Sequence, residues 1–250
     1  MTSQRIHRSP AHTTRLPRQP PFGCHFLTTM NIPQVTPSHI DHTGLAFMME
    51  KALDFVFAGQ TQVGEALLEA CLFLGLQSLS TNVTNDPEPR KDYPLIELPI
   101  SEVLAEVAPV DDPAWFQFYR CAFGFDPECN DMRRNVALCA YNLGVFKHEM
   151  GALEGDLASM AQARAYYNIA LAHVTKGTHN AGSTFTIWLG LAAQNNLGHI
   201  SSFLGDSVGV QDCREALQDR LALQNPTMWT WFRASLARVD AYSAHQAAAA

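Results

Sequence analysis

His148, Glu149 and His199 are the side chains of this 250-residue chain whose types are best suited to chemistry. Imidazole titrates near neutrality and ligates metals, so two histidines with a carboxylate beside one of them could hold an ion or sense pH. The spacing supplies no third ligand. His148-Glu149-Met150 is not the HExxH pattern of a zinc hydrolase, THNAGST over 178–184 is no phosphate loop, and no serine stands in GxSxG. Each histidine is therefore expected to hydrogen-bond on a half-exposed helix face. The chain is expected not to be an enzyme and to need neither metal nor cofactor. A helical enzyme or sensor that uses a small molecule or metal at His148, Glu149 and His199 is the alternative.

The six cysteines, Cys24, Cys71, Cys121, Cys129, Cys139 and Cys213, form no CxxC pair, and several fall in apolar helical patterns. A thiol placed so behaves as a small hydrophobe, which fits a reducing, cytoplasmic setting. The apolar run ALLEACLFLGL, 66–76, is shorter than the roughly 20 residues of a membrane span. Residues 1–40 hold Arg5, Arg8, Arg15 and Arg18 and no acid, leaving 13 basic and 24 acidic side chains, or −11, on the rest. An acidic body repels phosphate backbones, which argues against a nucleic-acid partner.

The same 40 residues carry Pro10, Pro17, Pro20, Pro21, Pro33 and Pro37 and too little apolar surface to order themselves, so a disordered basic tail is expected. Its arginine-rich, acid-free composition also suits an organellar transit peptide, and Met30 is an alternative start. Order is expected over 41–246. A first helical hairpin spans about 42–77, broken at Gly59, with Met49, Leu53 and Val56 on one face and Ala66, Ala70 and Phe73 on the next. A polar, proline-bearing connection follows to about Leu98, long enough to be mobile, and Ser101 can cap a short helix to about Ala108. AWFQFYRCAF, 114–123, puts five aromatics in ten residues. It fits a short helix or an extended segment laid on a helical layer, with core sealing as its role.

Two further hairpins are expected, over about 132–174 and 185–223. Cys139, Leu143, Phe146 and Met150 form an apolar stripe that recurs 54 residues later as Ala193, Leu197, Ile200 and Leu204. Asn-Leu-Gly recurs with it, in YNLGVF and NNLGHI. A helix-interior glycine costs about 1 kcal/mol relative to alanine, so Gly144 and Gly198 imply close approach of a partner helix, and the echo reads as packing used twice. A last helix over 226–244 would cap the stack with Trp229, Phe232 and Leu236.

A Leu-Gly step in a first helix followed by an Ala-x3-large-x2-Ala stripe in a second resembles the tetratricopeptide repeat. Leu143-Gly144 with Ala163, Tyr167 and Ala170 matches in full, with GALEGDL, 151–157, absorbing seven extra residues as a loop. Leu53 to Phe73 matches in spacing, with Asp54 at the glycine, Phe57 at the aromatic, and Ala66, Ala70 and Phe73 along the stripe with small and large exchanged at the last two. Leu197-Gly198 matches in the third unit, whose second helix fits through Cys213 and Leu217 or through Ala216 and Leu223. The resemblance covers about 150 residues. It implies an all-α array of antiparallel hairpins with a capping helix, acting as an adaptor or scaffold for a peptide or protein. The implied partner groove is lined by Lys51, Phe55, Tyr141, Val145, His148, Asn195, His199 and Ser202. Only Lys51 matches the family's lysine and asparagine clamp for a terminal carboxylate, which disfavours a chaperone tail as the partner.

Overall fold

The computed structural model describes residues 42–81, 96–99, 115–125, 131–175, 183–227 and 229–249. All of them belong to one compact unit, His39–Ala250. The expected tail, the connection beyond Thr81, the Ser101 helix and most of THNAGST lie outside the described residues.

Seven helices carry most of the described chain: α1 His42–Phe57, α2 Thr61–Thr81, α3 Met132–Glu154, α4 Leu157–Thr175, α5 Thr184–Phe203, α6 Ser207–Ala222 and α7 Thr230–Ala249. Two three-residue strands, β1 Glu97–Pro99 and β2 Cys121–Phe123, pair antiparallel, with Leu98 opposite Ala122. Each helix packs on the next, from α1 through α7, so the chain is a stacked array of helical hairpins.

The three hairpin turns share one device. Gly59, Gly155 and Gly205 have φ of 79°, 68° and 68°, the left-handed conformation that ends a helix without a Cβ clash. After two of them an aspartate caps the next helix. Asp156 accepts from the Ala158 and Ser159 amides at 3.0 and 3.1 Å, and Asp206 from the Gly209 amide at 2.9 Å. The hydroxyl and amide of Ser159, with the Ala158 amide, hold the Asp156 carboxyl below its usual range. GALEGDL is therefore not a seven-residue loop. α3 runs on to Glu154, and its extra length is helix.

The second helix of the first hairpin buries a different stripe from the expected one. Ala66 and Phe73 are exposed, while Gly64, Leu68 and Cys71, two residues earlier, are buried in the small-x3-large-x2-small order that Ala66, Ala70 and Phe73 lack. In the third hairpin Cys213, Leu217 and Leu221 are buried and Leu223 is 84% exposed, which selects the Cys213 register. The last helix starts at Thr230 rather than Pro226. Asn225 caps a tight turn at Thr227 instead, and Trp229 follows with a φ of 60°. Phe232 and Val239 of α7 then close the stack.

α2 is long and apolar enough to cross a membrane by length and composition. It lies between α1 and α3, and its buried Glu65 pairs with Lys147 of α3. At the centre of the array α3 is buried almost all round, from Met132 to Gly151. Its polar residues must therefore find partners inside the protein.

Candidate functional site

The face shared by α3 and α5 is covered by residues 115–125, which run across it as extended chain. This resolves the two readings of AWFQFYRCAF in favour of the extended one. Phe116 and Phe123 are fully buried, with Phe118 and Tyr119 nearly so.

Helix side chains take the place of a neighbouring strand along one edge of this strap. Asn195 Nδ2 donates to Gln117 O at 2.7 Å, Asn196 Nδ2 to Tyr119 O at 3.1 Å, Tyr141 Oη to Cys121 O at 3.1 Å and Asn142 Nδ2 to Phe123 O at 2.8 Å. Every second carbonyl is taken, as the two-residue period of extended chain requires. Asn196 Oδ1 also accepts from the Tyr119 amide at 2.9 Å and Asn142 Oδ1 from the Phe123 amide at 2.9 Å, so each side-chain amide grips one residue at both ends. Ser235 of α7 completes the row, accepting from the Gln117 amide at 3.2 Å and donating to Asn195 Oδ1 at 2.7 Å. The other edge pairs with β1, where the Gly124 amide reaches Ile96 O at 2.8 Å.

Tyr141-Asn142 and Asn195-Asn196 stand 54 residues apart, at the same offset before the two Leu-Gly steps. The echo is thus polar as well as apolar, which corrects its reading as packing alone. A carboxamide carries donor and acceptor together and no charge, so it can satisfy both main-chain groups without the cost of burying an ion. In the first unit the matching position is Ala52, which has neither group.

The two glycines of the echo serve different neighbours. A Cβ on Gly144 would sit 2.7 Å from the Tyr167 ring of α4, the expected helix contact. On Gly198 it would sit 2.6 Å from the Phe116 ring, so that glycine makes room for the strap, not for a helix.

His148 and His199 do not lie half-exposed and separate. Both are buried and meet directly, with His148 Nε2 2.9 Å from His199 Nδ1. Asn196 Nδ2 donates to Tyr167 Oη at 3.1 Å, which directs the tyrosine proton to His148 Nδ1 at 3.3 Å. With that tautomer His148 Nε2 is the N–H that donates to His199 Nδ1. Burial, with His199 and Arg120 nearby, holds His148 well below the usual imidazole range. Phe118 of the strap lies over the pair, 3.9 Å from the His148 ring centre and 5.4 Å from that of His199. Burial raises the Glu149 carboxyl, partly offset by Arg120, whose Nε is 3.3 Å away, and by His199. Burial lifts Tyr141 and Tyr167 well above the ordinary phenol value.

Comparison with protein-family models, curated proteins and solved structures found no match.

Of the eight residues expected to line a groove, Tyr141, Val145, His148, Asn195 and His199 lie together and buried on the strap-covered α3 and α5. Ser202 is half-buried and donates to His199 O at 2.8 Å. Lys51 and Phe55 are apart from these on the exposed face of α1, where Lys51 pairs with Asp54 at 2.6 Å. Among the described residues no three His, Cys, Asp or Glu side chains are grouped to hold a metal. Asn142, Asn196 and Ser235 do the most for the site and are not among the eight. Asn142 and Asn196 are visible in the sequence as the first letter of the repeated triplet.

Proposed function

We propose that the chain is a protein-interaction scaffold of the tetratricopeptide kind, built to hold extended polypeptide against its first helices. One observation carries this reading: four alternate carbonyls of an extended segment accept from Asn195, Asn196, Tyr141 and Asn142. Main chain is what every polypeptide has, so such a face suits peptide recognition by backbone pairing. The stripe Ala163, Tyr167 and Ala170 behind it supports the family resemblance, since all three are buried and Tyr167 packs against Gly144 of the first helix. The reading gives His148, Glu149 and His199 a structural place beneath the strap and no catalytic one.

Capture of partners on the purified full chain, followed by crosslink mapping, tests the proposal. A stoichiometric protein partner crosslinked to the helical array is the expected result. A chain that recovers no partner and instead turns over a small molecule would refute it.

A further inference from the structure

We propose that the α3–α5 face is a docking site for an extended segment of a partner protein, and that residues 115–125 are a tethered stand-in which must leave for the partner to enter. The inference rests on the scaffold reading above. The strap is held by two kinds of contact: its carbonyls and amides, which any peptide could offer, and its aromatic side chains, which are buried in the core. Its own sheet is three residues long with β1 as the neighbour it pairs with, too short to keep it in place unaided.

The side chains define the occupant. Phe116 fills the space over Gly198, Phe118 covers the histidine pair, Tyr119 packs on Trp231 and Phe232, and Phe123 packs on Tyr141 and Trp188. Arg120 meets the buried carboxylate of Glu149. A matching segment carries aromatic residues at its first, third, fourth and eighth positions and a cation at its fifth. Charge complementarity fixes the register, because a neutral fifth residue would leave Glu149 buried without Arg120's guanidinium.

Tethering gives the strap an effective concentration on the order of millimolar. A free segment of the same strength loses that competition at micromolar concentration. The physiological partner must therefore contact the array beyond the strap's footprint as well, and the strap sets a threshold below which weak aromatic peptides are rejected.

The test uses the full chain and a fluorescent synthetic peptide of residues 114–125 with serine in place of Cys121. Binding by anisotropy is expected to be at least about tenfold tighter to a Phe116→Ala, Phe118→Ala chain than to the wild type. Adding Asn142→Ala should reverse that gain, and a peptide with the aromatics moved off the pattern should not bind. A double variant that melts cooperatively yet ignores the peptide overturns the proposal. Should that variant not fold, native-state hydrogen exchange of the wild type decides: the Tyr119 and Phe123 amides must exchange ahead of those in α3 and α5. If they exchange only with global unfolding, the strap never leaves and the proposal falls. Exchange of straps between two copies, seen as a concentration-dependent dimer that excludes the peptide, also overturns it by giving the site to a second copy. A strap that never opens in a chain that still captures a partner removes this inference and leaves the scaffold reading intact.

Discussion

Replacing Asn142 by alanine removes both hydrogen bonds to Phe123 and leaves a buried amide and a buried carbonyl unpaired. Each stranded group costs about 1–3 kcal/mol, and some relaxation of the strap recovers part of that, so a loss of about 2–4 kcal/mol is expected. Asn196→Ala also strips the Tyr167 hydroxyl of a donor, which puts its loss at about 3–5 kcal/mol. Asn142→Asp gives the sharper test. At neutral pH the carboxylate cannot donate to Phe123 O and is itself buried, so it should be at least as damaging as alanine. Once protonated, the same group donates from one oxygen and accepts at the other, restoring the two-point grip. Urea unfolding read by far-ultraviolet circular dichroism, with unchanged m-values, measures each difference. The defect caused by Asn142→Asp should shrink relative to wild type as pH falls from 7 toward 4. An alanine loss under about 0.5 kcal/mol, the range of ordinary surface substitutions, or an aspartate defect independent of pH, would refute the claim that this amide clamps the strap.

The remaining predictions concern other parts of the site. Gly144→Ala should destabilise by about 1–3 kcal/mol despite alanine's better helix propensity, because its Cβ would press on the Tyr167 ring; thermal melts read this. Wild-type stability should decline as pH falls below the ordinary imidazole value of 6.5: His148 is held neutral in the fold, the unfolded chain takes up the extra proton, and the slope from this group approaches about 1.4 kcal/mol per pH unit until its depressed folded value is reached. His148→Phe should flatten that decline in urea titrations at pH 5 to 7. Arg120→Ala should raise the already elevated Glu149 carboxyl further, so that the variant loses stability relative to wild type as pH rises through that range. The same urea series at several pH values checks the sign.

The helices are legible because their signals are local. Stripes such as Cys139, Leu143 and Phe146 repeat at helical spacing, and burial of all three follows from it. The second helix of the first hairpin is harder to read because TQVGEALLEACLFLGL is apolar nearly all round. Two stripes fit it equally, and only contact with α1 and α3 selects Gly64, Leu68 and Cys71. The second turn misleads for a different reason. Gly155-Asp156 and Gly205-Asp206 carry the signal for a two-residue connection, yet in GALEGDL it is hidden by a helix one turn longer than its counterpart.

The site is hidden by sequence distance. Phe116 and Gly198 stand 82 residues apart, and nothing local in either names the other. Helix faces alone point Tyr141, His148 and His199 outward. They lie where α3 meets its neighbours, Tyr141 and His148 against Tyr167 and His148 against His199, and the aromatic segment returns to cover them, so that a stripe expected to face solvent becomes a second interior. Such a surface must satisfy two unlike demands, apolar contact for Phe116, Phe118 and Phe123 and paired donors and acceptors for the main chain between them. Leucine-rich faces meet the first demand and charged faces neither. Neutral amides, a phenol and imidazoles beside small residues meet both. That requirement explains why asparagines stand beside Leu-Gly in two units that face the strap and why the first unit, with Ala52 at the matching position, has none.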